Sequence, residues 1–250
     1  MDDLTLQRAG ARLRRIRAIG AVLDARLAVR AARARRAARR HEEALVERDR
    51  RWVAELRGRR DLQINVGSSS QHLDGWLSVD ILRDPEERCL RMDATQPWPF
   101  DSGSAVAVAS EHVIEHVNPA AVPAFLAEAH RVLQPGGVLR ISTPDLRGIN
   151  EAYVAADPDV LAAHRAHGYR ARTHADLVNN YLHAWGHVHV YDFESLRLLL
   201  ADAGFTDIRE ATFGHSEHEL LRGIDQHDPA PLDELVLWVD AVKPADAQVQ

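Results

Sequence analysis

Between Leu62 and Ile81 the chain reads LQINVGSSSQHLDGWLSVDI, and that stretch has room for little besides a strand, a tight turn and a second strand. Residues 63–66 carry β-branched Ile64 and Val66 and stop at Gly67 and a serine cluster. Residues 76–79 form the second short run, which ends in Asp80. A strand, a small-residue turn and a strand closed by a carboxylate make up a nucleoside-binding half-unit. Gly67 can take a positive φ and let a ligand come close to the backbone. Ser68 and Ser69 offer N–H groups and hydroxyls in a concave turn, which suits an anionic group. Asp80 can accept hydrogen bonds from two vicinal ribose hydroxyls.

At 250 residues there is room for one large domain, or for one domain and an extension. Hydrophobic residues make up 46% and charged residues 27%, with mean hydropathy -0.30, so a core and a polar surface can both be built. The single Cys89 excludes an internal disulfide and a multi-cysteine metal cluster, which fits a reducing compartment. No apolar run approaches the roughly 18 residues of a membrane span. Acidic Asp2 and Asp3 open an N-terminus without the apolar core of a secretory leader, so the expected location is cytoplasmic and not membrane-spanning.

The net charge of -6 hides a split. Residues 1–60 hold 18 Arg against 8 acidic residues, a surplus of +10, and the remainder holds 13 basic against 29 acidic residues, or -16. An acidic body argues against nucleic acid as the main acceptor, because phosphate recognition needs positive charge around the site. The basic part, residues 1–58, has no proline and only Gly10, Gly20 and Gly58. Its apolar residues recur as Leu13, Ile16, Leu23 and Leu27, then Ala31, Ala34 and Ala38, then Leu45, Trp52 and Leu56. That spacing predicts a long amphipathic helix, with Gly20 and His41 as places where it can break. Such an extension serves self-association, with a weak alanine-rich middle, or contact with an anionic surface.

From residue 59 to 243 strands and helices alternate. Strands are predicted at 63–66, 76–79, 88–92, 105–109 and 138–142, with a closing antiparallel pair at 206–213 and 234–242. Helices are predicted at 120–133, ended by Pro135-Gly136-Gly137, and at 191–203, ended by Gly204. The run AVAVA at 105–109 suits a central strand buried on both faces. Residues 146–190, polar and rich in His and Asn, read as a helical insertion at the rim where the strands end, and 244–250 as a frayed tail. Strand-helix-strand order implies a parallel sheet with right-handed crossovers.

Taken together, VGSSS-GW-SVD, MDATQPWPF, SEHVIEHV, HRVLQPGGVLRISTPD, GHVHVYDFESL and ADAGFTDIR resemble the class I S-adenosylmethionine-dependent methyltransferases, over about residues 61–242. The likeness is nearest to a bacterial branch associated with polysaccharide and other cell-surface sugar pathways. It implies an α/β, doubly wound, Rossmann-like sheet of seven strands in the order 3-2-1-4-5-7-6, with the last strand antiparallel. It implies S-adenosylmethionine as cofactor. Gly67 matches the first glycine of the family's cofactor loop, although Ser68 and Ser69 stand where a later glycine is usual. Asp80 matches the ribose-binding acid, and Asp93 with the backbone of Ala94 matches the adenine contact. Ser110, Glu111 and His112 match the segment that lines the cofactor and faces the acceptor. A nicotinamide site is the competing use of such a half-unit. It wants G-x-G-x-x-G and an acid about 20 residues on, whereas here the second glycine is absent and Asp80 comes much sooner.

If the acceptor is a hydroxyl, a base near neutrality is useful, and His fits. The candidates are His112 and, in GHVHVYD, His187 and His189, which alternation would place on one face with Tyr191 if the segment is extended. Glu111, His112, Glu115 and His116 fall on neighbouring faces if they share a helix, where ion pairing at the surface accounts for them. The His pair four apart has no evident third ligand, so no metal is expected. The function expected is methylation, of oxygen by preference, on a small-molecule or carbohydrate acceptor. The alternative is a non-catalytic module of the same fold that assembles through its basic helix.

Overall fold

The computed structural model describes residues 3–68, 72–82, 88–227 and 232–245, with side chains from residue 30 onward. Ser69 and most of the tail expected to fray, from residue 246, lie outside the described residues. The chain divides into two compact units, 1–52 and 53–250. Helix α1 runs unbroken over Asp3–Leu56. The break expected at Gly20 or His41 does not occur. Without proline every N–H can bond backwards, and one interior glycine costs only about 1 kcal/mol among Ala, Leu and Arg neighbours of high helix propensity. Among the described residues no helix is long and apolar enough to cross a membrane.

In the second unit the strands are β1 (Leu62–Val66), β2 (Leu77–Asp80), β3 (Leu90–Arg91), β4 (Ala105–Glu111), β5 (Leu133–Pro144), β6 (Thr206–Ala211) and β7 (Val236–Val242). They form one sheet in the order β3-β2-β1-β4-β5-β7-β6. The first five are mutually parallel, and β7 runs antiparallel to both β5 and β6. This is the implied architecture. β4 is central and buried, as its AVAVA core requires. β5 is longer than expected and begins at Leu133. Pro135, Gly136 and Gly137 lie inside it as a bulge, where the register jumps from Ala105–Leu133 to Ala107–Val138.

Helices α2 (Val122–Val132) and α6 (Phe193–Asp202) pack on each other and on the sheet. α2 buries Val122, Phe125, Leu126, Ala129 and Val132, one stripe at helical spacing. Along β5, Val138, Arg140 and Ser142 face one way and Leu139, Ile141 and Thr143 the other. Leu221, from the excursion between β6 and β7, packs on Ala107 and Val138. The segment after β5 folds into α3 (Leu146–Ala155), α4 (Pro158–Ala166) and α5 (His174–His183). These helices share a small core of Ile149, Leu161, Leu177 and Tyr181 with Leu232 and Leu235.

That small core contains a wholly buried His164, whose ring lies 4.8 Å from Tyr169 and 5.5 Å from Tyr181. Burial, with a smaller push from His167, takes its imidazole down to about 4. The folded value lies below the unfolded one, so stability is complete above about pH 6.5 and drains away as pH falls toward 4. Urea unfolding at pH 7.5 and pH 5 is expected to show about 2 kcal/mol less stability at the lower pH from this group, and His164→Asn should remove that part of the slope. Equal slopes in the two proteins would exclude His164 as its source.

Candidate active site

β1 and β2 lie side by side, with Ile64, Asn65 and Val66 opposite Leu77, Ser78 and Val79. Gly67 follows β1 at φ +74°, and a side-chain carbon added there would sit 2.1 Å from Val113 Cγ2. Glycine is thus required both by backbone handedness and by packing. Val113 fills the space a side chain would take here. The N–H groups of Gly67 and Ser68 both donate to Val79 O, at 2.8 and 3.3 Å. They tie the turn to β2 and are not left facing an anion. Ser68 is buried, its Oγ 3.6 Å from Cys89 Sγ.

Asp80 closes β2 with only 8% of its surface exposed, and its Oδ1 accepts from Leu82 N–H at 2.7 Å. Its carbonyl accepts from Met92 N–H at 2.8 Å, which holds the end of β3 and the following Asp93 alongside. Asp93 Oδ1 accepts from the N–H and hydroxyl of Thr95 at 2.9 and 2.7 Å, while Oδ2 has no partner among the described residues. Ala94 O accepts from the Trp98 indole at 2.9 Å. At the end of β4 the buried Ser110 hydroxyl has no partner among the described residues. Carboxylates at adjacent strand tips and an unpartnered hydroxyl make an acceptor-rich rim. Ribose hydroxyls and an exocyclic amine are donors, so these residues fit the nucleoside part of S-adenosylmethionine.

Past Ser110 the expectation of one helix through 111–116 fails, because β4 runs to Glu111 and only 114–116 make a single 3-10 turn. Glu111 accepts from the backbone of Gln226 at 3.0 Å and of His227 at 2.9 Å. Burial opposes its charge, but the His227 and Gln226 donors outweigh it and hold the carboxyl below the usual range. The same contact raises the His227 imidazole. Glu111 therefore anchors the 226–227 segment over the end of β4. His112 follows in the left-handed region at φ 52°, its N–H on Ser142 O at 3.0 Å. Its Nδ1 lies 2.9 Å from Glu115 Oε1, and Glu115 Oε2 accepts from Thr143 Oγ1 at 3.1 Å. Glu115 is completely buried. This corrects the surface ion-pair expectation. The signal lies in VIEHV, where Glu115 follows two apolar residues and no Lys or Arg occurs between Arg91 and Arg131.

His112 opens onto a cavity of roughly 550 Å³. His116, Tyr169, Tyr181, Trp185 and His187 also line it. His187 is half-buried, and its Nδ1–H donates to Tyr181 O at 2.6 Å. Burial lowers its pKa, against the opposing pull of the Tyr181 carbonyl. His189 is exposed and is not among the lining residues, and Tyr191 is buried. Of the single face expected for His187, His189 and Tyr191, the last two keep together, their rings 4.6 Å apart, while His187 turns to Tyr181 and His116; Val188 and His189 both donate N–H to Glu115 O, at 2.8 and 3.2 Å. Two successive amides can share one carbonyl only if the chain turns. Trp185 and Tyr169, whose rings stand 4.7 Å apart, come together only through the fold.

Residues 50–210 match the family model described as a methyltransferase domain. No curated protein matches the chain. Among solved structures, similar ones include a SAM-dependent methyltransferase of Thermotoga maritima, a possible histamine N-methyltransferase, at 15% identity and TM-score 0.45, covering 81% of this chain and 90% of that one. Another is a SAM-dependent methyltransferase of Archaeoglobus fulgidus, at 18% identity and TM-score 0.44, over 80% and 94%. A third is the 1,6-didemethyltoxoflavin-N1-methyltransferase of Burkholderia thailandensis, at 17% identity and TM-score 0.44, over 82% and 80%. Because the family match spans well over half of the sequence, the chain belongs to the methyltransferase domain family and is an S-adenosylmethionine-dependent methyltransferase.

Proposed function

We propose that the cavity beside His112 takes a hydroxyl-bearing small molecule or sugar-linked acceptor, which is methylated on oxygen. The observation that carries this reading is the run of contacts from Thr143 through Glu115 to His112 at the cavity wall. Glu115 accepts the Nδ1–H of His112, fixes that tautomer and leaves Nε2 to receive the acceptor's hydroxyl proton. The buried carboxylate then stabilises the imidazolium that forms. Asp80 holds the ribose hydroxyls, and Asp93 with the Ala94 backbone holds the adenine amine. Gly67, Ser68 and Ser110 shape the floor between them, and Glu111 holds the 226–227 segment above it. S-adenosylmethionine, when bound, supplies a methyl group already activated by its sulfonium, so the protein has mainly to position and dry the site.

The lining favours a neutral ring. Among the described residues it includes no Lys or Arg, which speaks against a phosphate-bearing group at this point. Tyr169, Trp185 and Tyr181 stand edge to face, with ring centres 4.7 and 5.8 Å apart, and offer the apolar surface on which a sugar face packs. Calorimetry with S-adenosylmethionine and S-adenosylhomocysteine should show micromolar binding. Asp80→Ala should weaken it by about 10–100-fold, the worth of hydrogen bonds to a charged acceptor. No heat at ligand concentrations on the order of KM values for such enzymes, or an unchanged affinity in the variant, would overturn the rim assignment. Transfer of labelled methyl to a panel of sugar-linked alcohols then identifies the acceptor.

A further inference from the structure

We propose that Glu115, His116 and His187 form a binding site for a divalent transition-metal cation at the wall of the acceptor cavity. One ligand atom from each lies within 4.8 Å of those of the other two. The set differs from the His pair four apart, His112 and His116, for which the sequence offers no third ligand: only His116 of that pair takes part, with Glu115 beside it and His187 from the far end of the helical insertion, while His112 is turned to Glu115.

The surroundings of each group are those of a ligand. His187 donates Nδ1–H to the Tyr181 carbonyl, which fixes the tautomer and leaves the Nε2 lone pair available. The Glu115 oxygens are oriented by His112 and Thr143, and each keeps a further lone pair. Among the described residues no Lys or Arg pairs with this completely buried carboxylate. A cation offsets the cost of burying it. His116 completes the set from the exposed side, its ring 4.9 Å from that of His187.

Two imidazoles and one carboxylate suit zinc, cobalt, manganese or nickel better than the all-oxygen preference of magnesium or calcium. Three protein ligands leave at least one position open, as in sites where a metal meets substrate. All three residues line the cavity, so an acceptor hydroxyl there could reach a cation they hold and would lose its proton more readily to His112. The site itself stands on geometry, and only this use of it rests on the acceptor reading above.

The test is titration of chelator-stripped full-length protein with Co²⁺, followed by visible d–d absorption and calorimetry. One equivalent should bind, and Zn²⁺ should displace it. His116→Ala and His187→Ala should each weaken binding by at least about tenfold, the least that loss of even a supporting partner costs. His116 is exposed, so its variant does not endanger the fold. His189→Ala should bind as the parent does. Failure to bind Co²⁺ at concentrations where the parent is saturated with S-adenosylhomocysteine, or equal affinity in both ligand variants, overturns the proposal. In the first case retained S-adenosylhomocysteine binding shows that only the metal site falls, and the cofactor rim stands.

Discussion

His112→Asn is expected to lower kcat by about 10²–10⁴, the usual contribution of a positioned base, with affinity for S-adenosylhomocysteine and the thermal midpoint essentially unchanged. The substitution is chosen for what it keeps. Asparagine tolerates the left-handed backbone that position 112 adopts, at φ 52°. Its amide can still donate to Glu115 Oε1, so the buried carboxylate keeps a partner where His112 Nδ1 now stands at 2.9 Å. What disappears is the second ring nitrogen, the only group on this residue that can take a proton from the acceptor. His112→Ala is a different experiment. It leaves Glu115 short of a donor, costing roughly 1–3 kcal/mol of stability as well. A His112→Asn enzyme with kcat within tenfold of the parent would rule His112 out as the base. A variant that loses cofactor affinity in step with kcat would make it a structural member of the β4 tip. Measurements need any acceptor that supports turnover, with kcat and KM determined separately.

The parts of this site that follow local rules were visible in the residues. Gly67 ends a strand at a positive φ, and Asp80 closes the next one, because short β-branched runs and a glycine leave few alternatives. The AVAVA strand at the centre of the sheet follows from its continuous apolar character. The order of the strands came from the family likeness, since no periodicity encodes which strand neighbours which. Roles set by distant pairing were hidden. Spacing alone puts Glu115 on a surface helix, yet it is buried because Thr143, on the neighbouring strand β5, and His112 both turn to it. His187 looked like one of three residues on an extended face, and it turns instead to Tyr181 and His116. Pro135-Gly136-Gly137 looked like a stop between helix and strand and is a bulge within β5, because Leu133 already pairs with Ala105. Each miss is a contact between segments far apart in sequence, which local spacing does not report.

The same holds for Arg140, whose replacement should have the largest effect on stability. Only 2% of it is exposed, in the middle of β5. Its guanidinium makes paired bonds to Asp225 at 2.8 and 2.8 Å, one to Asp240 at 2.9 Å, and two to the carbonyls of His215 and Thr212. Five contacts use the whole donor fork and fasten residues 212–225 over the sheet. Arg140→Met keeps much of the volume but leaves two buried carboxylates without their cation. Breaking such a set by removing one partner costs about 3–5 kcal/mol, a large part of the stability of a domain this size. The test separates charge from packing. Adding Asp225→Asn and Asp240→Asn to Arg140→Met should recover most of the loss in urea unfolding at neutral pH, because the amide oxygens can still accept from Gly214 N–H and Ser216 Oγ where the carboxylates now do. The recovery should also appear at the active site. Asp225 adjoins Gln226 and His227, whose amides Glu111 holds at the end of β4, so releasing 212–225 loosens the roof of the cavity. Amide exchange at 212–227 should rise in Arg140→Met and fall back in the triple variant. A loss below about 1 kcal/mol in the single variant would show that the buried ion cluster is not what fastens this segment.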